Sequence, residues 1–199
     1  MEMLEIDIKP NGRTAIRMPA HLVANALLGT LLARQKPAAP TTPPRIGQPW
    51  PGQGGIYVGM MRGQNGAPDY HLIAPDSPAA MIDSITWGGT EIDEPGATSD
   101  FDGQANTAAL IASNTEHPAA EWAAGVNIDG HTDYYLPARR ELRLCWVNTP
   151  ELFPEGYYWS STQRSSHNAW CQDFGDGNQG INRRGSECRA RAVRRVLAL

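Results

Sequence analysis

The stretch Asp129-Gly130-His131-Thr132-Asp133-Tyr134-Tyr135-Leu136-Pro137-Ala138-Arg139-Arg140-Glu141-Leu142 holds a turn, a short extended run and the start of a helix. Leu136-Pro137 sets φ for the helix start, and Glu141 can reach back to the free N–H groups of the first turn. The helix runs from Ala138 to Asn148. It places Leu142, Cys145 and Trp146 on one face and Arg139, Arg140 and Arg143 on the other.

Upstream of it, Gly55–Met61 reads as a strand, Asn65-Gly66-Ala67-Pro68 as a turn and Tyr70–Ala74 as the returning strand. Ile85-Thr86-Trp87 adds a short third piece. Gly88 to Gly103 is a long Gly/Asp/Pro-rich loop, and short helices follow at Ala105–Ser113 and Pro118–Ala124. Downstream, Tyr157–Ser160, Ala169–Phe174 and Arg189–Val196 read as strands separated by polar, Gly-rich loops. Strands, then helices, then strands make an α+β pattern in which the first and last strands of the domain can pair. Trp159, Trp170, Leu136 and Val193 are expected in one core. Arg191 and Arg194 are expected to hold buried carboxylates or carbonyls.

The N-terminal end has a different organisation. Leu4–Lys9 alternates apolar and charged residues, Pro10-Asn11-Gly12 turns, and Arg13–Met18 returns. Pro19 then opens a helix, Ala20 to Ala33, with Leu22, Val23, Ala26, Leu27 and Leu31 along one side. Residues 1–36 therefore form a hairpin-helix appendage, too small to enclose a core and suited to attachment or homo-oligomerisation. Six prolines between Pro37 and Pro51 make 37–51 a semi-rigid spacer, or else an arm that Trp50 anchors on the next domain. Residues 52–199 form the main domain.

Composition removes several classes. No run of eighteen apolar residues spans a membrane. The acidic start Met1-Glu2-Met3-Leu4-Glu5 lacks the features of a signal peptide. The chain is thus expected to be made in a cytoplasm, then assembled on a particle or exported by another route. A net charge of −4 argues against nucleic acid as a partner. From Tyr157 onward seven arginines face three acids. Those arginines are read first as partners for acids of the same domain, and second as contacts for an anionic ligand. The three cysteines, Cys145, Cys171 and Cys188, fit reduced thiols. No P-loop, His-Glu-x-x-His or Cys-x-x-Cys pattern occurs, so no catalytic residue, metal ligand or cofactor is assigned.

The quoted stretch resembles the G-x-x-D-(aromatic)-x-L-P-(S/T)-x-x-E-L signature of bacterial and phage C-type-lectin-like domains. Tyr158-Trp159-Ser160-Ser161 is similar to the YWSS of that family, and Ala169-Trp170 with Phe174 to its A-W-x-x-x-F. Arg191-Ala192-Val193-Arg194 is similar to its closing strand. Ala138 stands where the family has a Ser or Thr helix cap. The resemblance covers about Gly55 to Val196 and implies a C-type-lectin-like fold. It also implies a non-enzymatic domain that binds a protein or a carbohydrate on a host or target cell surface. Similar domains include the variable proteins of diversity-generating retroelements, whose last strands and loops are rewritten through Asn-type codons. Two alternatives stand beside that reading: an undiversified bacterial adhesin, and an oxidase of the formylglycine-generating type in which Cys171 and Cys188 would act.

Candidate contacts lie between the signatures. They are Gln163, Arg164, Ser165, Ser166, His167 and Asn168, then Gln172 and Asp173, then Asp176, Asn178, Gln179, Asn182, Arg183 and Arg184. Short polar side chains with scattered Arg and His have the adaptable composition of antibody loops. Loops are polar by default, so composition alone does not separate a ligand surface from a solvated loop pair.

Overall fold

The computed structural model describes residues 3–8, 14–19 and 42–198. The chain divides into two units, residues 1–39 and residues 40–199. In the first, β1 (Met3–Ile8) and β2 (Thr14–Pro19) form an antiparallel ribbon with Leu4 opposite Met18 and Ile6 opposite Ile16. The expected helix at Ala20–Ala33 lies outside the described residues.

The second unit begins inside the expected 37–51 spacer. Pro49–Trp50 is a short strand, β3, and Trp50 is buried against Tyr57 and Ile73. From residue 42 onward the proline-rich segment is thus an arm of the main domain. Beside β3 lie β4 (Gly55–Met61), β5 (Tyr70–Ala74) and the last strand, β11 (Arg194–Leu197), in the order β11-β5-β4-β3. The closing strand pairs with the second strand of the β4–β5 hairpin; the first is occupied by β3.

The second sheet has the order β6-β10-β7-β8-β9. Its strands are β6 (Met81–Thr86), β7 (Tyr157–Gln163), β8 (Asn168–Asp173), β9 (Gln179–Arg183) and β10 (Glu187–Arg191). Two expectations change here. β6 is a full edge strand, where a short piece was read. The segment read as one strand over Arg189–Val196 switches sheets at Ala192-Val193 and becomes β10 and β11. Three helices pack against the sheets: α1 (Gly103–Ile111), α2 (Pro118–Ala124) and α3 (Arg139–Asn148).

Buried side chains form two main clusters, and neighbouring residues divide between them. Tyr134, Trp159 and Ala192 join one; Tyr135, Tyr158 and Val193 join the other. Alternate residues of an extended chain point to opposite faces, so three such segments running through the centre serve both clusters. Leu136 and Trp159 share the first cluster, and Val193 belongs to the second. The single core expected for the four marker residues is therefore two. Trp170 is in neither; it is half-buried.

The signature residues hold this frame together. Glu141 is fully buried and accepts from Tyr70 Oη (2.6 Å), Tyr135 Oη (2.7 Å), Ala138 N (2.7 Å) and Gly103 N (3.2 Å). Ala138 has no hydroxyl to cap α3, and Thr162 of β7 supplies one by accepting from Arg139 N at 3.0 Å. Arg194 grips Asp133 with two 2.9 Å bonds, and Arg191 donates to the Pro75 carbonyl at 2.6 Å. Both arginines serve the scaffold, as expected from their charge and position.

Candidate ligand-binding face

The face is built on three rungs of the β8–β9 ladder. Asn168 lies opposite Arg183, Trp170 opposite Ile181, and Gln172 opposite Gln179. Because facing residues of an antiparallel pair share a side, these six project to one surface of the sheet. Ala169 and Cys171 project to the other and enter the core. That parity is the reverse of the one expected for Trp170. The core side of β8 already holds Trp159 and leaves room only for small residues.

α3 covers one end of the surface. The Arg139 guanidinium sits 3.6 Å from the Trp170 ring centroid and donates to Gln179 Oε1 at 3.0 Å, and Gln179 Nε2 returns to Arg139 O at 2.8 Å. Asp100 holds the same guanidinium from behind at 3.4 Å. Trp170 is thereby fixed as a half-exposed platform with a cation on its face. Ile181 beside it is 50% exposed, so the middle rung is apolar and open to solvent.

At the other end, the β7–β8 loop is shaped by Ser165, whose Oγ accepts from His167 N (3.3 Å) and Asn168 N (3.2 Å). Glu91 N donates to Ser166 O at 2.8 Å and Arg184 N to His167 O at 3.0 Å, tying the loop to its neighbours. Arg164 and His167 are left exposed. A cleft of about 370 Å³ lies between Thr90 and Glu91 on one side and His167, Asn168 and Arg183 on the other.

Not all fourteen expected contacts reach this face. Gln163 and Arg184 are buried in a polar network: Arg184 donates to Gly89 O (2.8 Å), Ile92 O (2.7 Å) and Gln163 Oε1. Gln163 Oε1 also accepts from Glu94 N at 2.6 Å, and its Nε2 donates to Asp93 Oδ1 at 2.6 Å. Glu94 in turn meets buried His117 at 3.1 Å. This network staples the long 88–103 loop to β7 and to the residue after β9. Gln172 is buried beneath α3, where its amide closes the β8–β9 turn through Asp173 O (2.9 Å) and Asn178 O (3.2 Å). Asn182 faces the opposite side and donates to Cys188 Sγ at 3.2 Å.

Asp173 and Asp176 shape the turn as well, accepting from Gly175 N (2.8 Å) and Asn178 N (2.9 Å). Asp176 and Asn178 are exposed at that turn, beyond Gln179. The residues gathered around the open rung and the cleft are His167, Asn168, Gln179 and Arg183, with Arg164 and Ser166 in the adjoining β7–β8 loop. The structure adds Trp170, Ile181, Arg139, Thr90 and Glu91. One signal for Ile181 was present, since it is the single apolar residue in the polar run from Gly175 to Gly185. Among the described residues no group of three or more His, Cys, Asp or Glu is arranged to hold a metal ion.

Residues 83–194, more than half of the chain, match the family of Lcl C-terminal domains. A search of curated proteins found no match.

Proposed function

We propose, from the premise that this chain belongs to the Lcl C-terminal domain family, a C-type-lectin-like family, that the β8–β9 face binds a ligand. The partner is a protein or carbohydrate on a host or target cell surface. One observation carries the reading: a half-exposed Trp170 and an exposed Ile181 form one rung, flanked by Arg139 on one side and Arg183 and His167 on the other. Aromatic and arginine anchors at the centre of a polar rim are the composition of binding hot spots.

Binding without catalysis is supported by the thiols. Burial pushes the Cys171 thiol up to about 12 and raises that of Cys188 as well, which disfavours the thiolate at both. A protonated thiol is a poor nucleophile. The oxidase alternative lacks that support.

We place the protein on a phage or prophage particle as a receptor-binding display domain whose face is open to diversification. Arg164, Ser166, His167, Asn168 and Arg183 are of the residue types that Asn-codon mutagenesis yields; Arg164, His167 and Arg183 are exposed and Ser166 and Asn168 half-buried on a fixed frame. The test replaces Arg164, His167, Asn168 and Arg183 together with Ala or Ser. Melting temperature and binding to candidate host cells are then measured. Unchanged melting with lost binding is the expected result; a collapsed fold, or full binding, would overturn the assignment. A nearby imperfect DNA repeat differing at adenines, beside a reverse transcriptase, is expected at the locus. A locus with neither leaves a fixed adhesin.

A further inference from the structure

On the side of α3 turned toward the β4–β5 hairpin, two hollows adjoin and share Arg62, Gln64 and Phe101 as a common wall. The larger, about 300 Å³, has an apolar floor of Met61, Phe101, Leu144 and Val147. The smaller, about 250 Å³, reaches Tyr70 and the Asp102–Arg195 pair. Hollows of this size lie at the lower end of small-molecule sites, which run from roughly 300 Å³ upward.

The charge around them is one-sided. Arg62, Arg140, Arg143 and Arg195 line the pair of hollows against a single acid, Asp102. Asp102 is already engaged by Arg195 at 3.0 Å. Arg140 reaches only Asp100, at 4.0 Å, and shares it with Arg139. Arg143 donates to the Gly177 carbonyl and lies over Trp146. Arg62 has no hydrogen bond or ion pair among the described residues, and it stands exposed where the two hollows meet. A free guanidinium beside a partly desolvated apolar floor favours a planar carboxylate, which it can bind through two parallel hydrogen bonds.

We propose that these hollows are a binding site for a small amphipathic carboxylate. Its acyl or aryl tail lies on the Met61/Phe101/Leu144/Val147 floor, and its carboxylate pairs with Arg62. The site is separate from the β8–β9 face, so neither reading depends on the other.

Octanoate is the probe, titrated calorimetrically into the full-length protein, with 1-octanol as the uncharged comparison. Saturable one-to-one octanoate binding is expected, with 1-octanol at least about tenfold weaker, since a charge-assisted hydrogen bond contributes that much or more. Arg62→Gln is expected to weaken octanoate by a similar factor. Val147→Asp, at a side chain already 58% exposed, is expected to abolish binding without loss of fold. Arg183→Gln on the β8–β9 face leaves octanoate binding unchanged. Absence of saturable binding, equal affinity for octanoate and octanol, or parental affinity in Arg62→Gln would each overturn the proposal.

Discussion

Glu141 and Asp133 titrate in opposite directions for the same fold. Burial is the largest influence on Glu141 and pushes its carboxyl up to about 7, against the hydrogen bonds from Tyr70, Ala138 and Tyr135. For Asp133, burial also pulls upward, but the Arg194 hydrogen bonds and charge outweigh it and hold the carboxyl below its usual range. The folded state therefore holds the Glu141 proton more tightly than the unfolded chain does. That contribution is fully present below about 4.5 and is lost as pH rises through about 7. The Asp133 contribution is present above the ordinary aspartate value and is lost as pH falls through its depressed one. Stability should thus decline on both sides of a mildly acidic maximum. Glu141→Gln keeps an acceptor for Ala138 N and Gly103 N and places an amide donor toward the tyrosine oxygens. Urea midpoints measured across pH should lose their neutral-side decline in this variant and keep the acid-side one. A parental slope between about 4.5 and about 7 would place the titrating group elsewhere.

The β8 strand shows why single-strand patterns mislead. Ala169-Trp170-Cys171 invites the reading that the largest ring faces inward. The inward side is set by what the neighbouring strand already buries, and Trp159 of β7 leaves space there only for Ala169 and Cys171. Trp170 is sheltered on the other side by a cation from α3, which no strand pattern contains. Trp159→Ala should then cost about 3–5 kcal/mol, the range for truncating a buried tryptophan. Trp170→Ala should cost far less, about 1 kcal/mol for a half-exposed cation–π contact, while weakening ligand binding. Chemical denaturation and cell binding of the two variants separate the roles; comparable destabilisation by both would restore Trp170 to the core. Legibility varied by element in the same way. The 129–142 stretch was readable because the Pro137 start and the Glu141 cap are local features. β9 was not, since an edge strand of Gln, Gly, Ile, Asn and Arg has the composition of a loop. The burial of Gln163 and Arg184 was not legible because their partners, Asp93, Glu94, Gly89 and Ile92, come from a distant loop. The switch at Ala192-Val193 has no local signature at all, since Arg and small apolar residues continue through it.

At the scale of the molecule, the two units differ in what they can bury. Residues 40–199 have two sheets, three helices and cores of their own among the described residues. The ribbon of β1 and β2 is two-stranded, and a lone two-stranded hairpin is marginally stable at best in water. Its register sets Leu4 opposite Met18 and Ile6 opposite Ile16, and a ribbon of this kind needs a further surface to persist. The Leu22, Val23, Ala26, Leu27 and Leu31 pattern lies outside the described residues; a helix there, as the sequence is read, would also need a covering surface. Self-association of residues 1–39 through a second copy satisfies both requirements and would present several β8–β9 faces together. Presentation in multiple copies raises avidity for a repetitive cell surface by about 10²–10⁴ without any new contact. The prediction is that the full chain sediments as an oligomer, whereas a chain starting at Pro40 sediments as a monomer with an unchanged melting temperature. The shorter chain should keep its affinity for an isolated soluble ligand and lose most of its binding to intact cells. A monomeric full-length chain would remove the assembly role from the first unit. An oligomeric shorter chain would move that role to residues 40–199.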